Sequence, residues 1–186
     1  EKQSSGPFMS GFSSWGPTPD LQIKPEITAH GGSILSSVPG QDYDRISGTS
    51  MACPNMAGVV ALVRQYVKEN FPELADNDKE VAALVNRLLM STSDVVFAKN
   101  GLPYSVRKQG AGLANLVSAT ETDAYIITYD KNGNAMDKTK IELNGSQSKK
   151  DIKKQFTVNE IDKEIDALCR EVDADDEPVD YSDIRG

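Results

Sequence analysis

The sequence predicts a mixed α/β chain, and three observations carry that expectation. Short β-prone runs such as Ser33-Ile34-Leu35-Ser36-Ser37-Val38 and Ala124-Tyr125-Ile126-Ile127-Thr128-Tyr129 are bounded by turn residues. Between them lies a long apolar stretch with helical period, from Met51 to about Phe71, and a second from about Asp78 to Met90. Glycine and proline clusters punctuate the joints.

The elements follow in order. Residues 1–20 are rich in Gly, Ser and Pro, as in Ser13-Ser14-Trp15-Gly16-Pro17-Thr18-Pro19, and read as loop. Residues 21–29 form a short extended segment interrupted by Pro25. Gly31-Gly32 makes a turn into the strand at Ser33 to Val38, which Pro39-Gly40 ends. Gln41-Asp42-Tyr43-Asp44-Arg45 makes a poor strand and leads to a Gly48-Thr49-Ser50 turn. In the first long helix, Met56, Val59, Val60, Leu62, Val63, Tyr66 and Val67 cover more than one face. Ala52, Ala57, Gly58 and Ala61 keep its first half thin. A helix apolar nearly all round is a buried one. Its polar residues, Arg64, Gln65, Lys68, Glu69 and Asn70, fall at the far end, so it is expected to run from the core at Ser50 toward solvent. Pro54 is placed in the first turn or just past it, and Pro72 stops the helix.

In the second helix Val81, Leu84, Val85, Leu88 and Leu89 make one stripe, with Asp76 or Asn77 as cap. Gln109-Gly110-Ala111-Gly112 is a glycine turn feeding a short helix. Composition shifts near Thr120. Strands are expected at residues 124–129 and 140–143, joined by a hairpin turn at Asp130-Lys131-Asn132-Gly133-Asn134. The same turn suggests a calcium loop, but its glycine is misplaced and no acid closes the twelfth position. Thr157-Val158-Asn159-Glu160 reads as a capping box opening an amphipathic helix, and residues 173–186 as disordered.

The bulk numbers narrow the function classes. The chain has 186 residues, is 38% hydrophobic and carries a net charge of −8. Its mean hydropathy is −0.44, which fits a globular chain with some solvated sequence. Lys and Arg balance Asp and Glu up to Asn159, and the acidic excess falls from Glu160 onward. A basic nucleic-acid footprint is absent. No run of about 18 apolar residues marks a transmembrane segment. Cys53 and Cys169 read as two unpaired thiols, Cys53 buried in the core. The chain starts at Glu1 with no signal peptide behind it, so it is read as an internal piece of a longer precursor.

The chemistry centres on Ser50. A hydroxyl is a weak nucleophile unless its geometry is fixed and a base takes its proton. At the head of a helix the geometry is fixed, and unpaired backbone N–H groups favour a developing oxyanion. His30 is the one histidine of the chain, and its place before Gly31-Gly32 is that of a turn residue rather than of a base.

Gly48-Thr49-Ser50-Met51-Ala52-Cys53-Pro54-Asn55-Met56-Ala57-Gly58 resembles the nucleophile segment of subtilisin-like serine proteases. Ser13-Ser14-Trp15-Gly16-Pro17, the run Lys24-Pro25-Glu26-Ile27-Thr28-Ala29-His30-Gly31-Gly32, and Gln109-Gly110-Ala111-Gly112 match further segments of that family, in order. The wording near Pro17 and the β-like continuation look most like lactocepin-type cell-envelope proteinases. The resemblance implies a subtilisin-like parallel sheet with flanking helices, of which residues 1–119 hold the C-terminal part. Residues 120–150 would begin a fibronectin-like β module or hairpin, and 151–186 an acidic helix and disordered tail. It implies serine endopeptidase activity on protein or peptide substrates, with Ser50 as nucleophile. Thr49 and the Ser50 N–H would assist the oxyanion, and Ser47 and Gly48 would lie along the substrate. Pro54, Ala57 and Gly58 are read as packing residues of the helix.

The family's Asp and His segments and its oxyanion asparagine precede the serine segment and do not occur in this chain. His30 stands where the family has proline, and Asn55 where it has a non-catalytic histidine. The chain is therefore expected to need the N-terminal part of its own catalytic domain and to be inactive alone. No cofactor is expected in this segment, structural calcium belonging to the parent domain if present. The resemblance implies a secreted or cell-wall location. Two alternatives stand beside this: an inactive subtilase-like scaffold, and an α/β-hydrolase esterase. The latter needs a strand just before Ser50 and small residues two positions either side.

Overall fold

The computed structural model describes residues 8–19, 22–130 and 132–140, together with the backbone of 156–160. The elements are β1 (Ile34–Val38), β2 (Asp42–Ile46), α1 (Thr49–Asn70), α2 (Asp78–Ser91), α3 (Val106–Gln109), α4 (Leu116–Glu121), β3 (Ala124–Thr128) and β4 (Phe156–Glu160).

The strand pairing departs from the expected parallel sheet. β1 and β2 form an antiparallel hairpin in which Ile34 faces Ile46 and Val38 faces Asp42. Strands joined by so short a turn can only run antiparallel. Gly40 and Gln41, both at positive φ, make that turn. Asp42–Ile46 is thus a strand despite its polar sequence, because the turn and the β-prone partner impose the pairing. β3 and β4 also pair antiparallel. Among the described residues parallel pairing is confined to an isolated bridge between Thr28 and Leu113. The chain between those two residues contains α1 and α2, the helical crossover that parallel pairing requires.

Asn77 caps α2, its side chain accepting a bond from Glu80 N–H. The core forms where α1, α2 and α4 meet. Val63, Val67, Val81, Leu84, Val85, Leu88, Leu89 and Ala119 are its buried members. Each large side chain buried there contributes about 1.5–3 kcal/mol.

The burial of α1 runs opposite to the expectation. Val63 and Val67, in its second half, are fully buried. In the first half Cys53, Pro54, Asn55, Ala57 and Gly58 are exposed, and just past the middle Leu62 is 52% exposed. Apolar coverage on more than one face marks surfaces meant to be covered, and the described residues cover only the C-terminal half. Cys53 is accordingly an exposed free thiol rather than a core residue. Pro54 lies just past the first turn of α1, within the expected range, and has no N–H to give the Ser50 carbonyl.

β3 and its continuation are held to the helical layer. Ser91 Oγ accepts from Ile126 N–H at 3.0 Å, and Arg87 Nε donates to the Met136 carbonyl at 3.1 Å. The turn at Asp130 forms as expected, its carboxylate accepting from Asn132 N–H, Asn134 N–H and Asn134 Nδ2. Those bonds, the Asn134 side chain's foremost, hold the Asp130 carboxyl below its usual range. The partner of β3 is Phe156–Glu160, whereas the strand expected at 140–143 begins in loop at Lys140, its other residues lying outside the described ones. Thr157–Glu160 is strand rather than a helix-opening capping box. The remainder of the expected tail helix and the disordered end fall outside the described residues.

Candidate active site

Four separated segments converge on the head of α1. Gly16 N–H donates to the Arg107 carbonyl at 2.8 Å, and Arg107 Nε returns a 2.9 Å bond to the Gly16 carbonyl. This docks the Ser13–Pro17 loop on α3. The Glu26–Thr28 segment docks on the glycine turn: Ala111 N–H meets the Glu26 carbonyl, Thr28 N–H the Gly112 carbonyl, and Ala114 N–H the Thr28 carbonyl, at 2.8–2.9 Å. Gly110 must be glycine, since it sits at φ 65 and a Cβ would lie 2.3 Å from the Glu26 carbonyl oxygen. The same segment then brings Gly31 to the head of α1, where Gly48 N–H donates to the Gly31 carbonyl at 2.8 Å.

Helix α1 begins at Thr49, so Ser50 is in its first turn. The Gly48 carbonyl takes the first helical bonds, from Met51 N–H at 3.1 Å and Ala52 N–H at 3.3 Å. The Thr49 and Ser50 amides have no acceptor within the helix and lie at the positive end of its dipole. Ser50 and Thr49 are exposed. Among the described residues no side chain hydrogen-bonds the Ser50 hydroxyl.

An open cleft of about 680 Å³ adjoins the helix head, lined by residues that include Phe8, Thr28, His30, Ser33, Ser47 and Thr49. It brings Ser47 and Thr49 together with His30, while Gly48 and Ser50 are not among its lining residues. The Ser47 hydroxyl is engaged, accepting from Ser33 N–H at 2.8 Å. β2 ends just before Ser50, so the strand that the esterase alternative needed is present. It lies in a solvent-exposed hairpin, though, and Ala52 stands where the second glycine of that elbow belongs.

Sequence reasoning missed three contributors. Ser33 takes a left-handed φ of 54, Arg45 Nη1 reaches its carbonyl at 3.0 Å, and Glu26 gathers lysines. The Gly31-Gly32 pair before Ser33 was the available signal for the first. Glu26 pairs with Lys24, with Lys138 at 2.8 Å and with Lys140 at 4.0 Å. Burial would raise its pKa, but the Lys138 and Lys24 ammonium groups together outweigh this and lower it to about 2. Among the described residues no three of His, Cys, Asp and Glu group closely enough to hold a metal ion.

Residues 3–112 match the family model described as the subtilase family. The chain belongs to the subtilase family. C5a peptidase of Streptococcus pyogenes is 34% identical over 146 residues, covering 78% of this chain and 12% of that protein. A PII-type proteinase of Lacticaseibacillus paracasei is 38% identical over 120 residues, covering 61% of this chain and 6% of that protein. This subtilase chain thus spans about an eighth of the length of the C5a peptidases it matches. The solved CspB protease of Clostridium perfringens superposes with a TM-score of 0.47 at 31% identity, over 61% of this chain and 23% of that one. The PII-type relatives bear out the lactocepin-type likeness, and family and relatives alike support a proteolytic function. Among the described residues no helix is long and apolar enough to cross a membrane.

Proposed function

We propose that this subtilase chain is the nucleophile-bearing part of a serine endopeptidase. The observation that carries the reading is the placement of Ser50 in the first turn of a 22-residue helix, beside amides that the helix leaves unpaired. In this reading the Ser50 hydroxyl attacks the scissile carbonyl as a base takes its proton. The Ser50 N–H and the Thr49 hydroxyl stabilise the oxyanion, and Gly48 and Ser47 flank the bound peptide. The base, its acid partner and the remaining oxyanion donor come from the N-terminal part of the same catalytic domain. That part packs on the exposed face of α1 around Cys53, Ala57 and Leu62, which supplies apolar surface with no cover among the described residues. The substrate is a protein or peptide. A secreted or cell-wall location follows the same resemblance, with no cofactor in this segment and no nucleic-acid partner. Residues 1–119 belong to the catalytic domain, 120–150 start a β module or hairpin, and 151–186 are an acidic tail.

A second reading is an inactive subtilase-like scaffold, in which the longer chain supplies Ser50 with no base. One experiment separates the two. The 186-residue chain alone is expected to take no fluorophosphonate label, and the longer product of its gene to label at Ser50. Labelling abolished by Ser50→Ala in the longer product supports the endopeptidase. A longer product that never labels means the scaffold.

A further inference from the structure

Ser33 is a non-glycine residue held at φ 54, where its Cβ crowds the backbone. Both of its polar backbone groups are gripped by the chain that leads into the nucleophile. Its N–H donates to Ser47 Oγ at 2.8 Å, and its carbonyl accepts from Arg45 Nη1 at 3.0 Å. In the hairpin register Arg45 faces Leu35, so its guanidinium reaches two residues beyond its partner to find Ser33. Next to this grip, Gly48 N–H is bonded to the Gly31 carbonyl. Gly31 approaches so closely that a Cβ would stand 2.6 Å from the Gly48 oxygen. The segment 31–33 is therefore locked against 45–48, and 45–48 runs directly into Thr49 and Ser50.

We propose that Arg45 is a positioning residue for Ser50, an inference that rests on Ser50 being the nucleophile. Its bond to the Ser33 carbonyl holds Ser33 in the left-handed conformation. That conformation turns the chain so that the Gly31 carbonyl meets the Gly48 amide. The Gly31–Gly48 bond in turn fixes where α1 starts and how its first turn presents Ser50. A side chain that cannot reach the Ser33 carbonyl leaves the turn free to relax, and small misplacements at a reacting atom are costly in rate.

The test uses the longer gene product and two readouts, fluorophosphonate labelling of Ser50 and hydrogen exchange at the Gly48 amide. Arg45→Gln should slow labelling about tenfold and speed Gly48 exchange, with the melting temperature unchanged. Arg45→Lys, which still donates one bond, should retain most of the rate. Ser33→Gly takes positive φ without strain, so Arg45→Gln in that background should cost little. A wild-type labelling rate and unaltered Gly48 exchange in Arg45→Gln would overturn the proposal, as would an equal loss in the Ser33→Gly background. If the wild-type product takes no label, the endopeptidase reading fails instead, and Gly48 exchange alone decides the role of Arg45.

Discussion

Leu88 and Leu62 are two leucines on neighbouring helices with opposite fates. Leu88 is fully buried among Val63, Val67 and Val81, whereas Leu62 is 52% exposed. Removing buried methyl groups forfeits both transfer energy and packing, so Leu88→Ala should destabilise the chain by about 2–5 kcal/mol. Leu62→Ala should stay within about 0.5 kcal/mol. Denaturant titration of both variants checks the contrast, and equal losses would mean that Leu62 is buried in solution. Nothing in the residue types alone separates these two leucines. Both sit at helical spacing from other apolar residues, and the difference comes from which neighbours fold against them. The serine was legible for the converse reason: Gly48-Thr49-Ser50 needs only local geometry to be placed at a helix head.

At the scale of elements, the hairpin of β1 and β2 shows how an exposed edge is kept quiet. Asp42 Oδ1 accepts from Tyr43 N–H at 2.8 Å, and Asp44 Oδ1 from Arg45 N–H at 2.6 Å. Those amides alternate with the ones that make the ladder to β1, so they face the open side of β2. Unsatisfied edge amides are templates for another strand, and here each is taken by the carboxylate before it. Asp42→Ala with Asp44→Ala should increase self-association, read by light scattering at rising concentration. Unchanged scattering would mean that the edge is protected by something else. These aspartates are also why the strand was illegible. Asp42-Tyr43-Asp44-Arg45 lacks the apolar alternation that marks a half-buried strand, because it is solvated on most of its surface. The helices were legible, α2 especially, since its stripe from Val81 to Leu89 is the core itself.

Over the whole molecule, Glu26 is one of the ties between segments distant in the chain. It joins the segment that leads toward the head of α1 with Lys138, 112 residues away. Its carboxyl titrates near 2 in the folded chain against an ordinary 4.5. Unfolding between those values takes up a proton, so acid favours the unfolded state there. The stabilisation is complete above pH 4.5 and is lost as pH falls through 2. Acid titration followed by circular dichroism should show this loss in the parent chain. Glu26→Gln should be less stable at neutral pH and flatter between pH 4.5 and 2; an unaltered acid profile would remove Glu26 from the account. The long-range pairing was hidden in the sequence because neither lysine nor glutamate carries a spacing signal across such a distance. A different contact offers a built-in optical gauge. Trp15 is the only tryptophan of the chain. Lys108 Nζ lies 4.7 Å from its ring centre and 4.9 Å from that of Tyr104. An ammonium over an indole face perturbs its emission, and Trp15 shares its loop with Gly16, which α3 holds. Intrinsic fluorescence excited at the indole band therefore follows the seating of this loop alone. A Lys108→Met change should shift the emission while the helical circular dichroism stays the same, letting one native chromophore time the arrival of the loop during refolding.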